Sequence, residues 1–145
     1  MRRTVLTLIA VLIAGTGALA HQGVTNPAVM ARMHGMTLIA GHLETLGRMT
    51  KGQQPFDAAA ARAAAAGIAE HAAAVPALFQ APETDAKSEA LPVIWERYDD
   101  FTRLSAELET LSAGLAQTIT DPADLGPAMS ALAAGCRACH RDYRQ

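Results

Sequence analysis

Five consecutive residues near the end of the chain, Cys136-Arg137-Ala138-Cys139-His140, have the types and spacing to do chemistry. Two thiols three positions apart lie within about one helical turn. Each sulfur can then reach one vinyl group of a haem and close a thioether bond, which is the c-type haem attachment pattern. The imidazole that follows is placed to meet the iron as its proximal axial ligand. Three other uses of these residues compete. A thioredoxin-like redox pair wants a strand before the motif and a helix after it. A structural disulfide has no need of His140. A zinc site could combine both cysteines with two of His34, His42, His71 and His140. A haem accounts for Cys136, Cys139 and His140 together.

The rest of the chain must position that motif, and its composition favours helices. It has 145 residues, enough for one domain, with Ala and Leu dominating a 50% hydrophobic content and few β-branched residues. Two cysteines exclude a disulfide-dense scaffold and a four-thiolate zinc site. A net charge of −2 excludes a strongly basic nucleic-acid binder.

Met1-Arg2-Arg3, an apolar run from Thr4 to Gly15 and the small-x-small ending Ala18-Leu19-Ala20 read as a secretory signal peptide over residues 1–20, cleaved after Ala20. The run is too short for the ~20 residues of a bilayer span. Residues 21–145 then form the mature domain, with ten Lys and Arg against fourteen Asp and Glu, a net charge of −4. The basic, acid-free start points to a bacterial periplasm.

Four helical stretches are expected in that domain. Asn26-Pro27 caps the first, whose apolar stripe is Val29, Met33, Met36, Ala40, Leu43 and Gly47, ending near Gly52. Asp57 caps a second, alanine-rich helix that Pro76 ends, and Pro82 to Ser88 is a polar connection. A third runs from about Leu91 to Ile119, with Phe101, Leu104, Leu108, Leu111 and Leu115 at three-four spacing. A fourth spans roughly Pro122 to Arg144. Pro127 lies inside it, so the helix either starts there or has kinked first turns. No stretch alternates with period two. The fold class is all-α, an antiparallel up-down-up-down four-helix bundle with a covalently attached haem.

A haem site at the C-terminal end of such a bundle resembles the cytochrome c′ superfamily, the class II c-type cytochromes. His140-Arg141-Asp142-Tyr143-Arg144 is similar to the family's ending, in which a Tyr-Arg pair follows the haem His. Pro92-Val93-Ile94-Trp95 resembles its third-helix signature, Lys51-Gly52-Gln53-Gln54-Pro55-Phe56-Asp57 its link between the first two helices, and Gly47-Arg48-Met49 the end of its first helix. The likeness covers nearly all of residues 21–145.

The resemblance implies an assignment of the site. Low-spin members carry a Met ligand on the first helix where high-spin members carry Leu or another apolar residue. That position falls on Met36, with Met33, one turn away, as the runner-up ligand and otherwise a residue of the haem pocket. The family's propionate-contacting Arg falls on Arg32, on the same helical face as Met36. Trp95 is placed in the haem pocket, and Tyr143 and Arg144 on the proximal side, with fraying of the chain end as the alternative for the last two. His42 and His71 are expected to be exposed or simply packed. The function implied is one-electron transfer by a low-spin His/Met-ligated haem, with no catalytic residues. The alternative is a high-spin haem that binds nitric oxide or carbon monoxide, and an enzyme such as a peroxidase ranks last. The partners implied are periplasmic redox proteins and, among some family members, a second copy of the chain.

Overall fold

The computed structural model describes residues 23–145. The signal peptide read at 1–20 lies outside them. Four long helices make an antiparallel bundle: α1 (Pro27–Thr50), α2 (Ala58–Leu78), α4 (Tyr98–Thr118) and α5 (Leu125–Tyr143), with a single turn, α3 (Val93–Glu96), before α4. None of the described helices is long and apolar enough to cross a membrane.

The helix starts follow local chemistry. The Asn26 side chain accepts hydrogen bonds from the Ala28 and Val29 N–H groups at 2.8 and 3.2 Å, and Pro27 stands where a missing N–H costs nothing. Gly52, at φ +67°, lets the chain leave α1, while Lys51 N–H closes on the Gly47 carbonyl. The Asp57 carboxylate accepts from Ala60 N–H at 3.0 Å and opens α2. Before α5, Asp121 and Asp124 form a reciprocal capping box around the 3₁₀ turn Pro122–Asp124. The helix proper then starts at Leu125, and Pro127 falls in its first turn, where it displaces no intrahelical bond.

Three expectations need correcting. Pro76 does not end α2, which runs on to Leu78. Proline cannot donate to the Ala72 carbonyl four residues back. The Ser105 hydroxyl of α4, buried against it, donates there instead at 2.7 Å, and the Tyr98 hydroxyl covers the Pro76 carbonyl at 2.6 Å. The third stretch is not one helix from Leu91 to Ile119. It breaks at Arg97, whose backbone lies at φ −125°, ψ 43°. The stripe on α1 is also out of phase. Val29, Arg32, Ile39, Leu46 and Met49 are the buried positions, and Ala40 is exposed. The helix packs against both α2 and α5, so its inward face is wider than one stripe.

Two clusters fill the interior. Leu46, Ile68, Ile119, Leu125 and Leu132 anchor an aliphatic one, tightened by Ala61, Ala64 and Ala65. Val75, Phe79, Ile94, Phe101 and Tyr143 form an aromatic one. Met36 packs against both. The α2–α4 seam is the most extensive and the α1–α5 seam the least. Midway along α2, Gly67 leaves room for the His42 ring, because a Cβ there would lie 2.3 Å from its Nε2. His42 and His71 stack at 5.5 Å between ring centroids, the packed arrangement expected for them.

Candidate functional site

Where α1 and α5 pack least, a cavity of about 240 Å³ opens between them. One wall is α1, through Val29, Arg32, Met33, Met36 and Thr37. A second wall is the end of α5, through Cys139, His140, Tyr143 and Arg144. Phe79, Ile94 and Phe101 line its aromatic side. The remaining side is Ser88-Glu89-Ala90, from the connection between α2 and α3.

The motif lies on the last turns of α5. Both thiols are free and partly buried, and Cys139 faces the cavity while Cys136 sits one turn earlier. Burial pushes both thiols up. Cys139 reaches about 11, with the negative charges of Asp100 and Asp142 adding to the effect. Such thiols are neutral at pH 7, unlike the depressed thiol of a redox-active pair. The motif also lies within a helix with no strand before it among the described residues, which removes the thioredoxin-like reading. No group of three His, Cys, Asp or Glu residues able to hold a metal occurs among the described residues, which removes the zinc reading.

Burial lowers the pKa of His140, and the Arg144 cation lowers it further against the opposing Glu89. The imidazole is therefore neutral at pH 7, with a lone pair available to a metal. An apolar slot lined by that imidazole, a thiol and two thioether side chains has the donor set and the polarity a haem requires.

Arg32 is not a solvated surface charge. Its side chain is 3% exposed and stacked on Phe79 and Trp95, with Cζ 4.8 and 5.3 Å from the ring centroids. Its Nε donates to the Leu78 carbonyl at 2.9 Å, and its two terminal nitrogens donate to the carbonyls of Glu83 and Ala81. Burial lowers its pKa, and the nearby Glu83 partly offsets that. Three of the five N–H donors a guanidinium offers are thus engaged by the irregular backbone after α2.

Trp95, expected in the pocket, does not line the cavity. It stands behind Arg32, because its indole N–H satisfies the Phe79 carbonyl left over at the end of α2, at 2.8 Å. The chain end does not fray. Tyr143 is 2% exposed, and its hydroxyl donates to Asp100 at 2.6 Å. Leu91 N–H donates to the Tyr143 carbonyl at 3.0 Å and Gln145 N–H to the Glu89 carbonyl at 2.9 Å, around a short antiparallel bridge between Ala90 and Arg144. The residues that sequence reasoning missed are those of this connection, Ser88, Glu89 and Ala90. They sit in a stretch with no periodicity, and only its polar character was visible.

Comparison with known proteins places this geometry. The family profile described as cytochrome c′ matches residues 27–144. A cytochrome c-556 from Agrobacterium fabrum is 42% identical over 110 residues, covering 75% of each chain. The structure of cytochrome c′ from Rhodopseudomonas palustris is similar with a TM-score of 0.77 at 30% identity, covering 83% of this chain and 98% of that one. A nitric oxide complex of a cytochrome c′ variant from Alcaligenes xylosoxidans is similar with a TM-score of 0.69 at 30% identity, covering 81% and 94%.

Proposed function

The chain belongs to the cytochrome c′ family and carries a covalently attached haem c; from that premise we propose that it is an exported, periplasmic one-electron carrier. Cys136 and Cys139 would hold the haem through thioethers, and His140 and Met36 would ligate its iron. The haem supplies a one-electron ferric–ferrous couple, and the protein's residues decide what that couple is used for.

The observation that carries the reading is that Met36 of α1 and His140 of α5 line one and the same apolar cavity. Met36 is only partly buried and packs against both interior clusters, so its thioether is held where the two meet. With a thioether and an imidazole both bound, the iron would have no position left for an outside ligand, and the pair would favour the ferrous form relative to nitrogen ligation alone. Arg32, one turn before Met36, retains two N–H donors for a haem carboxylate. Met33 packs beside it on the same wall. Tyr143 and Arg144 close the side that carries His140. Partners of such a carrier dock through small, transient contacts.

The second reading is binding of nitric oxide or carbon monoxide at an open axial position. It is favoured by the structural relative solved as a nitric oxide complex. One experiment separates the two. The oxidised holoprotein is expected to be low-spin, with the weak long-wavelength iron–sulfur band, and the reduced protein to be inert to carbon monoxide. Met36→Leu is expected to abolish the band, admit carbon monoxide and lower the midpoint potential. A high-spin spectrum that Met36→Leu leaves unchanged defeats the carrier reading. An unchanged potential in that variant transfers the ligand role to Met33.

A further inference from the structure

We propose that Glu89 is a positioning residue for this redox site, holding the Arg144 cation in place beside His140 and so setting the charge on that side of the cavity. The inference rests on His140 being the proximal ligand.

The geometry comes from two elements that are distant in sequence. Glu89 belongs to the irregular connection before α3, and Arg144 follows the last turn of α5. The two are brought together by main-chain pairing, not by their own side chains. Ala90 bridges Arg144, and on either side Leu91 N–H donates to the Tyr143 carbonyl and Gln145 N–H to the Glu89 carbonyl. On this small platform the Arg144 Nε donates to Glu89 Oε2 at 2.6 Å, and a terminal nitrogen meets the same oxygen. Both residues line the cavity together with His140.

Stability does not account for this pair. Its side chains are 50% and 59% exposed, and an ion pair that wet contributes little to folding. Its two charges act on the His140 imidazole in opposite senses, Arg144 as a cation and Glu89 as an anion. A cation near iron favours the reduced state and an anion the oxidised state, so a closed pair largely cancels. The balance depends on where the guanidinium lies. With Glu89 present, the guanidinium is drawn to the carboxylate; without it, the same cation is free to lie nearer the imidazole. Glu89 therefore acts in two ways, by its own charge and by restraining Arg144.

Those two actions separate in a double-mutant cycle read as midpoint potential on the holoprotein. Glu89→Gln is expected to raise the potential and Arg144→Gln to lower it. The rise produced by Glu89→Gln is expected to be at least twofold larger with Arg144 present than in the Arg144→Gln background. Equal rises in the two backgrounds reduce Glu89 to a point charge and overturn the positioning role, and so does the absence of any rise. Glu89→Asp keeps the charge on a shorter arm. It is expected to fall between the parent and Glu89→Gln, whereas a potential equal to the parent's overturns the proposal. The main-chain bridge does not depend on either side chain, so the thermal midpoints of all variants are expected to stay close to the parent's. The spin state of the unaltered protein judges the Met36 assignment separately, since a high-spin protein still has a potential on which Glu89 is tested.

Discussion

The two ends of the bundle are built by different means. Around Leu46, Ile68, Ile119 and Leu132 the interior is filled by aliphatic side chains and alanines, and the Arg62 side chain donates to the Ile119 carbonyl at 3.2 Å. At the cavity end five of the six aromatic residues gather, and polar side chains reach across to main-chain oxygens. Arg32 takes three carbonyls after α2, Trp95 takes Phe79, Tyr98 takes Pro76 and Ser105 takes Ala72. The difference follows from what each end must do. Helices packed on helices need only volume and shape. A wall made from the irregular stretch between α2 and α3 carries carbonyls with no helical partner, and each must be met by a donor.

This contrast gives an ordered set of outcomes. The largest loss of stability is expected from Leu132→Ala, at the fully buried centre of the aliphatic end, about 3 kcal/mol in a denaturant titration. Its spectrum and midpoint potential are expected to be those of the parent, because Leu132 itself does not line the cavity. A change in the iron–sulfur band in Leu132→Ala breaks the division into two ends. Arg32→Met is expected to cost less, about 2 kcal/mol. Ala81 and Glu83 are exposed residues, so their carbonyls can take water in exchange, while Leu78 is only partly buried. Yet this smaller loss should move the iron–sulfur band and the potential, since Arg32 fixes the wall one turn from Met36. If Arg32→Met is spectroscopically silent, the stitched wall is a stabilising device only and plays no part in holding the ligand.

The same division marks what could be read from the sequence. The attachment motif, the caps at Asn26 and Asp57, and the four-helix count were legible because each is a local signal. Pro76 was misread because its compensation lies in Ser105, 29 residues on and across a helix seam. The break at Arg97 carries no glycine or proline to announce it, and its cause is tertiary. The three carbonyls that Arg32 meets were not legible, because they belong to the backbone of a distant connection. Trp95 had the composition of a pocket residue, but its N–H was needed behind Arg32. Ser88, Glu89 and Ala90 escaped notice because main-chain pairing with the last residues brings them to the site. What failed was thus concentrated at the cavity end, where long-range polar contacts override local pattern.

The smallest expected effect concerns the acid limit of that end. The Asp85 carboxylate accepts from the N–H groups of Lys87, Thr25 and Asn26, at 2.9, 2.9 and 3.1 Å, and from the Thr25 hydroxyl at 3.2 Å. These donors favour its charged form and pull its pKa down to about 2, the Lys87 bond contributing most. The folded value lies below that of an ordinary carboxylate, near 4 in an unfolded chain. Its contribution to stability is therefore fully present above about pH 4 and is lost as pH falls from there towards 2. Asp124 makes the corresponding bonds to Thr120 and Asp121 at the aliphatic end, and its pKa is lowered in the same direction. Asp85→Asn is expected to leave the thermal midpoint at pH 7 slightly below the parent's and to flatten its decline between pH 4 and 2. Asp124→Asn is expected to do the same to the global midpoint. The haem spectrum distinguishes them: because Asp85 ties the start of α1 to the connection that walls the cavity, only its variant should shift the iron–sulfur band at pH 7. A shift of equal size in Asp124→Asn means that the α5 start is coupled to the site as closely as the α1 start, and that the two ends respond as one body.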